Sequence, residues 1–398
     1  MTPTSSGPIS PEKQLLVCCA RTSADPPIRD EIRRLCAAPL DWDWLVEQSA
    51  TNSILPLVAR QIAAAANDVA PAKVVERLAK AARANAWHCL SLTAELIKVT
   101  DLLSREGVQS MPYKGPVLAV QAYGDVAVRE FEDLDIVVRQ RDMVKVNEVL
   151  KRLGYRANYP WRFDSGASSA VVPGEYDYRD DNRGMVIEFH TEFTLRHFPV
   201  KPDLEEMSSQ LVPVMLSGHE IRAFAPEDVL MLLCVHGSKD FWERISWVAD
   251  ISELVRAYPR LDWDIVFRRS EALRAGRMLH VGLALASKLL NARVPEAVAA
   301  RARRDLVAQA VASEIAQRHL RREGHQRGAL ERFHFRRRMV AGTLAGWQYS
   351  MRLTTQPADE DSSALRLPRP LAPLYAVLRP LRLFRQYRPS DRSSVGPF

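Results

Sequence analysis

Residues 113–138 read YKGPVLAVQAYGDVAVREFEDLDIVV, and this stretch decides the fold. It ends in a short apolar run, residues 134–138, that is typical of a buried β-strand. Side chains alternate between the two faces of a strand, so Asp133 and Asp135 project to one side while the apolar residues beside them enter the core. Two carboxylates one pleat apart repel each other unless a cation lies between them. Oxygen ligands of this kind suit Mg²⁺, so the pair is a candidate magnesium site; the alternative is an exposed, solvated strand start.

A candidate phosphate-binding element lies upstream of the acid pair. A strand over residues 109–114 is expected to end at Lys114, and Gly115 and Pro116 then open a short helix that runs through residue 123. Backbone N–H groups and the helix dipole at such an opening bind phosphate. The sequence therefore predicts a phosphate site next to the predicted metal site.

A third carboxylate lies downstream, in the segment MVIEFH over residues 185–190. Strand alternation places Glu188 and His190 on one face and apolar residues on the other. A strand carboxylate with apolar neighbours requires a cation or hydrogen-bond donors. Glu188 is therefore a further candidate ligand. His190 is interpreted either as a residue that orients a metal ligand or as a core histidine whose hydrogen bonds are formed, rather than as a metal ligand itself.

These segments, followed by HGSKDFWERISWVADI over residues 236–251, occur in an order that resembles the nucleotidyltransferase (DNA polymerase beta-like) superfamily. Over roughly residues 90–290, the sequences of the motifs are also similar to one branch of this superfamily, the uncharacterised bacterial nucleotidyltransferases. The resemblance implies an α+β fold: a nucleotidyltransferase-type mixed β-sheet with flanking helices, an N-terminal helical region and a C-terminal helical domain.

The resemblance also implies roles for the motif residues. Asp133 and Asp135 would ligate nucleotide-bound Mg²⁺, with Mn²⁺ as the alternative ion. Glu188 would complete a second metal position, which activates an acceptor hydroxyl for in-line attack on the α-phosphate and expels pyrophosphate. Lys114 and the Gly115 amide would face the triphosphate.

Further residues are expected around the nucleotide. Arg129 is expected either to neutralise phosphate charge or to form a surface salt bridge. In similar proteins the helices after the catalytic domain wall the nucleotide cleft, which implies that Lys239 and Arg244 reach phosphates. Trp242 and Trp247 either stack on a base or belong to the core, and their helical spacing favours the core.

The function implied is Mg²⁺-dependent transfer of a nucleoside monophosphate, or a related phosphoryl group, from a nucleoside triphosphate such as ATP to a hydroxyl-bearing acceptor. Small molecules, sugars and peptides are the expected acceptors, because the branch resembles proteins linked to polysaccharide and peptide natural-product pathways. Nucleic acid is less favoured, since aromatic residues are not interleaved with the basic residues of the last third. Pro116 stands where the superfamily usually has a small hydroxyl residue, which favours an alternative: a non-catalytic nucleotide-binding module with the same fold.

Length and composition fit this organisation. The 398 residues are 47% hydrophobic and 26% charged, the ordinary balance of a soluble protein with a core. Four parts are expected: an N-terminal helical region (1–105), a catalytic domain (106–225), a helical domain walling the cleft (226–320), and a basic helix with a Pro/Arg-rich tail (321–398).

The remaining elements follow from periodicity and from Pro and Gly positions. One long helix is expected from residue 71 to about 104. Additional strands are expected over residues 155–159, 169–172, 185–193 and 221–224. Helices are expected over residues 227–235, 241–257, 263–272 and 278–290, with an Arg-rich helix over residues 295–320.

Charge and cysteine content bear on partners and location. The net charge of +7 is concentrated in arginines after residue 317, which form either a solvated basic face or an anion-binding patch. The five cysteines lack zinc spacing and are odd in number, which favours buried thiols in a reducing compartment. No secretory signal or bilayer-spanning run is recognised, so a cytoplasmic protein is expected. The tail segment 371–388 is expected to pack on its own domain rather than on a membrane, because its prolines interrupt an amphipathic helix.

Overall fold

The computed structural model describes residues 9–158, 174–192, 204–321 and 328–355, together with positions 374 and 378. Its helices are α1 (Pro11–Cys19), α2 (Pro26–Cys36), α3 (Trp42–Thr51), α4 (Leu55–Ala65), α5 (Ala72–Arg105), α6 (Gly115–Leu118), α7 (Met143–Arg152), α8 (Leu204–Ser209), α9 (Pro226–Lys239), α10 (Ile245–Ala257), α11 (Trp263–Ala272), α12 (Gly276–Leu290), α13 (Glu296–Arg303), α14 (Leu306–Leu320), α15 (Ala329–Met339) and α16 (Thr343–Thr355). Its strands are β1 (Met111–Pro112), β2 (Asp133–Val137), β3 (Arg156–Ala157), β4 (Glu175–Asp180), β5 (Met185–His190), β6 (Val212–Leu216) and β7 (His219–Ala223). Helix α6 continues as a turn of π-helix, Ala119–Tyr123.

The sheet is mixed. Its strand order is β1-β2-β5-β4-β3, in which β2 and β5 run parallel and the other neighbours run antiparallel. Strands β6 and β7 form a separate antiparallel ribbon. The α+β class with a mixed sheet and flanking helices, expected from the sequence, is confirmed.

One face of the sheet carries the core of this part of the chain. Alternation along β2 and β5 buries Leu134, Ile136, Ile187 and Phe189 on that face, as the pleat requires. They pack against apolar residues of α5 and α7. Members of this core include Leu96, Val99, Leu134, Ile136, Val146, Leu150, Ile187 and Phe189. The polar residues of β2 and β5 consequently point to the opposite face.

A second core joins the helices at the two ends of the described chain. Side chains from α1 to α4 and from α9 to α16 belong to one continuous apolar cluster. A buried hydrogen bond of 2.6 Å from Thr22 Oγ1 to Glu253 Oε2 ties the chain after α1 to α10. Within the described ranges, every helix is too short or too polar to cross a bilayer.

Two helix predictions are wrong in their bounds. The helix expected over residues 241–257 begins only at Ile245, because Phe241 and Trp242 adopt left-handed backbone angles, with φ of 63° and 52°. The helix expected over residues 295–320 is divided into α13 and α14. The side chain of Asp305 interrupts it by accepting a hydrogen bond from the Ala308 amide at 3.0 Å, which caps α14.

The strand predictions are incomplete, and some of their bounds are wrong. Strands β4 and β6 were not expected, and the strands expected over 155–159 and 185–193 are shorter, covering Arg156–Ala157 and Met185–His190. The strand expected over 169–172 and nearly all of the tail segment 371–388 lie outside the described residues.

Candidate active site

Acidic side chains line up across three neighbouring strands. Asp135 on β2 lies directly opposite Glu188 on β5, and Glu188 lies opposite Asp177 on β4. Paired residues on adjacent strands project to the same face of a sheet. The polar face therefore carries a row of carboxylates, with Glu188 in the middle.

The tightest group in this row contains a histidine. Ligand atoms of Asp135, Glu188 and His190 all lie within 4.8 Å of one another. His190 Nε2 is 2.9 Å from Asp135 Oδ1 and 3.7 Å from Glu188 Oε2. Asp133 lies one pleat away from Asp135 on the same face of β2. Among the described residues, Asp133 is not one of those whose ligand atoms form this group.

The opening of α6 lies beside the acid pair. Gly115 has a left-handed φ of +50°, and a Cβ atom there would lie 3.4 Å from the Asp133 carbonyl oxygen. The backbone angle therefore favours glycine, and α6 approaches β2 to van der Waals contact at this position. The same turn directs Lys114 Nζ to within 3.2 Å of Asp135 Oδ1.

The carboxylates of this site differ in charge state. Burial alone would raise the pKa of Asp135, but Lys114 and His190 outweigh it and hold that pKa well below its usual range. Burial and the neighbouring Asp135 charge raise the pKa of Asp133. Burial, followed by Asp133 and Asp135, raises the pKa of Glu188 to about 8. At Asp133, burial and the Asp135 charge outweigh the opposing charges of Lys114 and Arg129, so repulsion remains that a bound cation would relieve.

Arg129 forms a salt bridge, which was one of its two expected roles, but the bridge is buried rather than at the surface. Its Nε and Nη2 atoms donate to the two oxygens of Asp250 at 2.8 and 3.0 Å. The Tyr123 hydroxyl donates to Asp250 Oδ1 at 2.7 Å. The Asp250 side chain is 1% exposed, so the bidentate pair connects α10 to the chain just before β2 inside the protein.

The end of α9 reaches the same region. Burial and then the positive charges of Lys114 and Lys239 lower the pKa of His236 well below its ordinary value. The charge of Asp135 also acts on this histidine, in the opposite direction. Lys239 Nζ lies 3.8 Å from Asp240 Oδ2. Arg244 is exposed and donates from Nη1 to Ser53 Oγ at 3.2 Å.

The two tryptophans of this segment occupy different environments. Trp242 is fully buried, and its ring fits against the backbone of two glycines: a Cβ at Gly237 would come within 2.6 Å of it and one at Gly282 within 3.2 Å. Trp247 is partly buried and contacts the edge of the His236 ring, with ring centroids 5.1 Å apart. Trp242 is therefore a core residue, the role its spacing favoured.

Sequence reasoning missed three residues of this region. Glu175 and Asp177 lie on β4, and the alternation of the segment EYDYRD, with Tyr176 and Tyr178 buried, could have revealed them. Arg336 on α15 packs over the Phe241 ring at 4.8 Å and donates from Nη2 to the Lys239 carbonyl oxygen at 3.2 Å. Only the excess of arginines in the last third of the chain pointed to it.

The donor set fits a divalent cation. Asp133, Asp135 and Glu188 supply hard carboxylate oxygens, which Mg²⁺ prefers, and two of the three carboxylates have raised pKa values that a cation would relieve. Asp135 already has a positive neighbour in Lys114. The arrangement can hold an ion between β2 and β5.

The family model for uncharacterised nucleotidyltransferases matches residues 38–291, which include β2, β5 and α9. No curated protein matches the sequence.

Two solved structures resemble this chain. The antibiotic-resistance factor ANT(2'')-Ia is 12% identical, with a TM-score of 0.34 over 47% of this chain and 93% of its own. A nucleotidyltransferase-like protein from Paracoccidioides brasiliensis is 16% identical, with a TM-score of 0.32 over 52% of this chain and 96% of its own. Because the family model spans more than half of the sequence, the chain belongs to the family of uncharacterised nucleotidyltransferases.

Proposed function

We propose that this nucleotidyltransferase transfers a nucleoside monophosphate, or a related phosphoryl group, from a nucleoside triphosphate to a hydroxyl-bearing acceptor, with Mg²⁺ as its metal. The observation that carries the proposal is the parallel register of β2 and β5, which sets Asp135 opposite Glu188 with Asp133 one pleat away. Carboxylates grouped in this way on a buried sheet face are stabilised by a divalent cation.

Asp133, Asp135 and Glu188 would hold the ion, and Mn²⁺ is the alternative to Mg²⁺. When bound, the ion neutralises phosphate charge and favours attack on the α-phosphorus. In the transfer itself the acceptor oxygen bonds to that phosphorus, the bond to the β-phosphate oxygen breaks, and pyrophosphate leaves. The hydroxyl proton is lost to solvent.

The basic residues of the site would bind the triphosphate. Lys114 is held beside Asp135 by the turn at Gly115, and it is well placed to contact phosphate oxygens. Lys239 lies at the end of α9, close enough to Lys114 for their charges to act on the same histidine. Arg244 lies further out, where it is exposed and bonded to Ser53. Arg129 would act through its buried pair with Asp250, by fixing the chain that leads into β2.

A small molecule, a sugar or a peptide is the proposed acceptor class, consistent with a role in natural-product or polysaccharide biosynthesis. Aromatic residues are not interleaved with the basic residues of the last third of the sequence, as a stacking platform for nucleic acid would require. We therefore favour a compact acceptor over nucleic acid.

A second candidate function has specific support. The Lys114 ammonium group already neutralises Asp135, and Pro116 removes one backbone N–H from the opening of α6. Both features suit a non-catalytic module that binds nucleotide without transferring it. The two candidates differ in whether pyrophosphate is released.

The test is a transfer assay with each nucleoside triphosphate, Mg²⁺ and pooled hydroxyl compounds, with pyrophosphate release and acceptor mass followed together. The enzyme hypothesis predicts pyrophosphate release and a nucleotide-sized mass increase in wild-type protein, and loss of both in Asp135→Asn. Nucleotide binding without pyrophosphate release in any pool would instead support the non-catalytic module.

A further inference from the structure

His190 occupies an unusual position for a supporting residue. It is buried, with 6% of its surface exposed, and it lies on β5 two residues after Glu188, on the same face. Its Nε2 atom points toward the carboxylates of Asp135 and Glu188. It lies 2.9 Å from Asp135 Oδ1 and 3.7 Å from Glu188 Oε2.

These two distances match the spacing of ligands around one ion. In an octahedral complex with bonds of about 2.1 Å, neighbouring ligand atoms lie about 3.0 Å apart. The Nε2–Asp135 distance already has that value, and the Nε2–Glu188 distance exceeds it by less than 1 Å. The ligand atoms of all three residues lie within 4.8 Å of one another, so movement of the Glu188 carboxylate toward His190 would bring them closer to the spacing of ligands on one ion.

The other ring nitrogen has the partner that a ligating histidine needs. His190 Nδ1 lies 3.7 Å from Glu175 Oε2 on β4, whose side chain is half exposed and therefore free to move closer. A metal-bound histidine almost always donates its second N–H to a carboxylate or a carbonyl group, which orients the ring. The Tyr113 ring meets the imidazole edge-on, with centroids 5.7 Å apart, and limits its rotation.

We infer that His190 is a direct ligand of the metal ion, together with Asp135 and Glu188, and that the site therefore binds Mn²⁺, the alternative ion of the proposed function, more tightly than Mg²⁺. This inference rests on the proposed function, because it assigns the ligands and the ion of that same site. Its physical basis is ligand type: Mg²⁺ binds almost entirely through oxygen, whereas imidazole nitrogen favours transition metals.

The experiment uses Mn²⁺ as the probe and full-length protein without a histidine tag. Binding is measured from the loss of the free Mn²⁺ electron paramagnetic resonance signal, and the ligands are identified by electron spin-echo modulation. Wild-type protein should show modulation from a directly bound ¹⁴N nucleus. Protein labelled with ¹⁵N-histidine should show the ¹⁵N pattern instead, which needs no substitution and so cannot be confused with misfolding.

Two variants then assign the nitrogen. His190→Gln should lose the modulation and bind Mn²⁺ roughly 10-fold or more weakly, while Mg²⁺ affinity, measured by competition, falls less than about threefold. His236→Gln removes the other imidazole coupled to this site and should keep the modulation.

The outcomes separate this inference from the proposed function. If Mn²⁺ binds in an Asp135-dependent manner but no histidine modulation appears, His190 is not a ligand, and the carboxylate site stands without it. If wild-type protein binds no Mn²⁺ at millimolar concentration, both this inference and the metal-dependent function are overturned.

Discussion

Asp135 and Glu188 face each other across the parallel pair β2–β5, although 53 positions separate them in sequence. This pairing brings carboxylates from two separate motifs to one buried face, next to Lys114 and His190. Parallel strands require a long connection, and here the connection includes α7, β3 and β4. The predictions below test this arrangement and its consequences for binding and stability.

Metal binding should release a proton near neutral pH. The pKa of Glu188 is raised to about 8 by burial and by Asp133 and Asp135, so at pH 7 the metal-free carboxyl group is mostly protonated. A metal ion binds the deprotonated form, so apparent affinity should rise with pH, by up to about tenfold per unit below that pKa. Calorimetry at pH 7 in two buffers with different ionisation enthalpies measures the protons released. Glu188→Gln should bind more weakly and release fewer protons; equal release by the two proteins would contradict the assignment.

Gly115→Ala should damage both stability and ligand binding. The left-handed φ of +50° costs an alanine about 1 kcal/mol, and its Cβ would lie 3.4 Å from the Asp133 carbonyl oxygen, in contact with the first acid of β2. Gly184→Ala is a matched control, because Gly184 has a φ of +65° with nothing within 4 Å of the added Cβ. Urea unfolding should show a similar backbone penalty in both variants. Only Gly115→Ala should also weaken nucleotide binding, and an equal loss of binding in both would contradict the proposed role.

Asp250→Ala should destabilise the protein strongly. It leaves the buried Arg129 guanidinium without its bidentate partner, a change that typically costs about 3–5 kcal/mol. Asp264→Ala, at an exposed carboxylate in the first turn of α11, should cost only about 0.5 kcal/mol. Denaturant unfolding curves measure both. If Asp250→Ala were as stable as Asp264→Ala, Arg129 would be available for the other role expected from the sequence, phosphate binding.

Glu130 should make stability depend on pH. Its Oε2 accepts a hydrogen bond from the Leu55 amide at 2.9 Å, and burial raises its pKa from 4.5 to about 7. The folded state therefore binds this proton more tightly than the unfolded state, so the contribution to stability is full below pH 4.5 and is lost as pH rises through 7. The loss is roughly 3.5 kcal/mol at the most, on the scale of ~1.4 kcal/mol per pKa unit.

Glu130→Gln tests this directly, since glutamine keeps an oxygen for the Leu55 amide and cannot ionise. Relative to wild type, the variant should gain stability between pH 5 and pH 8. A difference in unfolding free energy that stays constant over this range would show that Glu130 does not titrate there.

The sequence predicted the local chemistry of the site better than its long-range geometry. Alternation along residues 133–138 and 185–190 was sufficient to set the acids on one strand face and the apolar residues on the other, and both strands are confirmed. The strand pairing itself is not encoded locally, so the 2.9 Å approach of His190 to Asp135 could not be foreseen.

The start of α10 shows a second limit. Residues 241–257 have continuous helical periodicity without Gly or Pro, so nothing local marks the left-handed turn at Phe241 and Trp242. That turn is imposed by packing, because the Trp242 ring fills the space left by Gly237 and Gly282 on α9 and α12. A tertiary contact of this kind overrides local helix preference.

The most direct test of the central claim is calorimetric titration of each nucleoside triphosphate into purified protein with Mg²⁺, alongside the Asp133→Asn/Asp135→Asn double variant. The proposed site predicts metal-dependent binding of a nucleoside triphosphate by wild-type protein, and loss of that binding in the double variant at a temperature where its circular-dichroism spectrum still matches that of wild type. Equal nucleotide binding by both proteins, or binding that does not depend on the metal, would contradict the assignment of Asp133 and Asp135 as metal ligands.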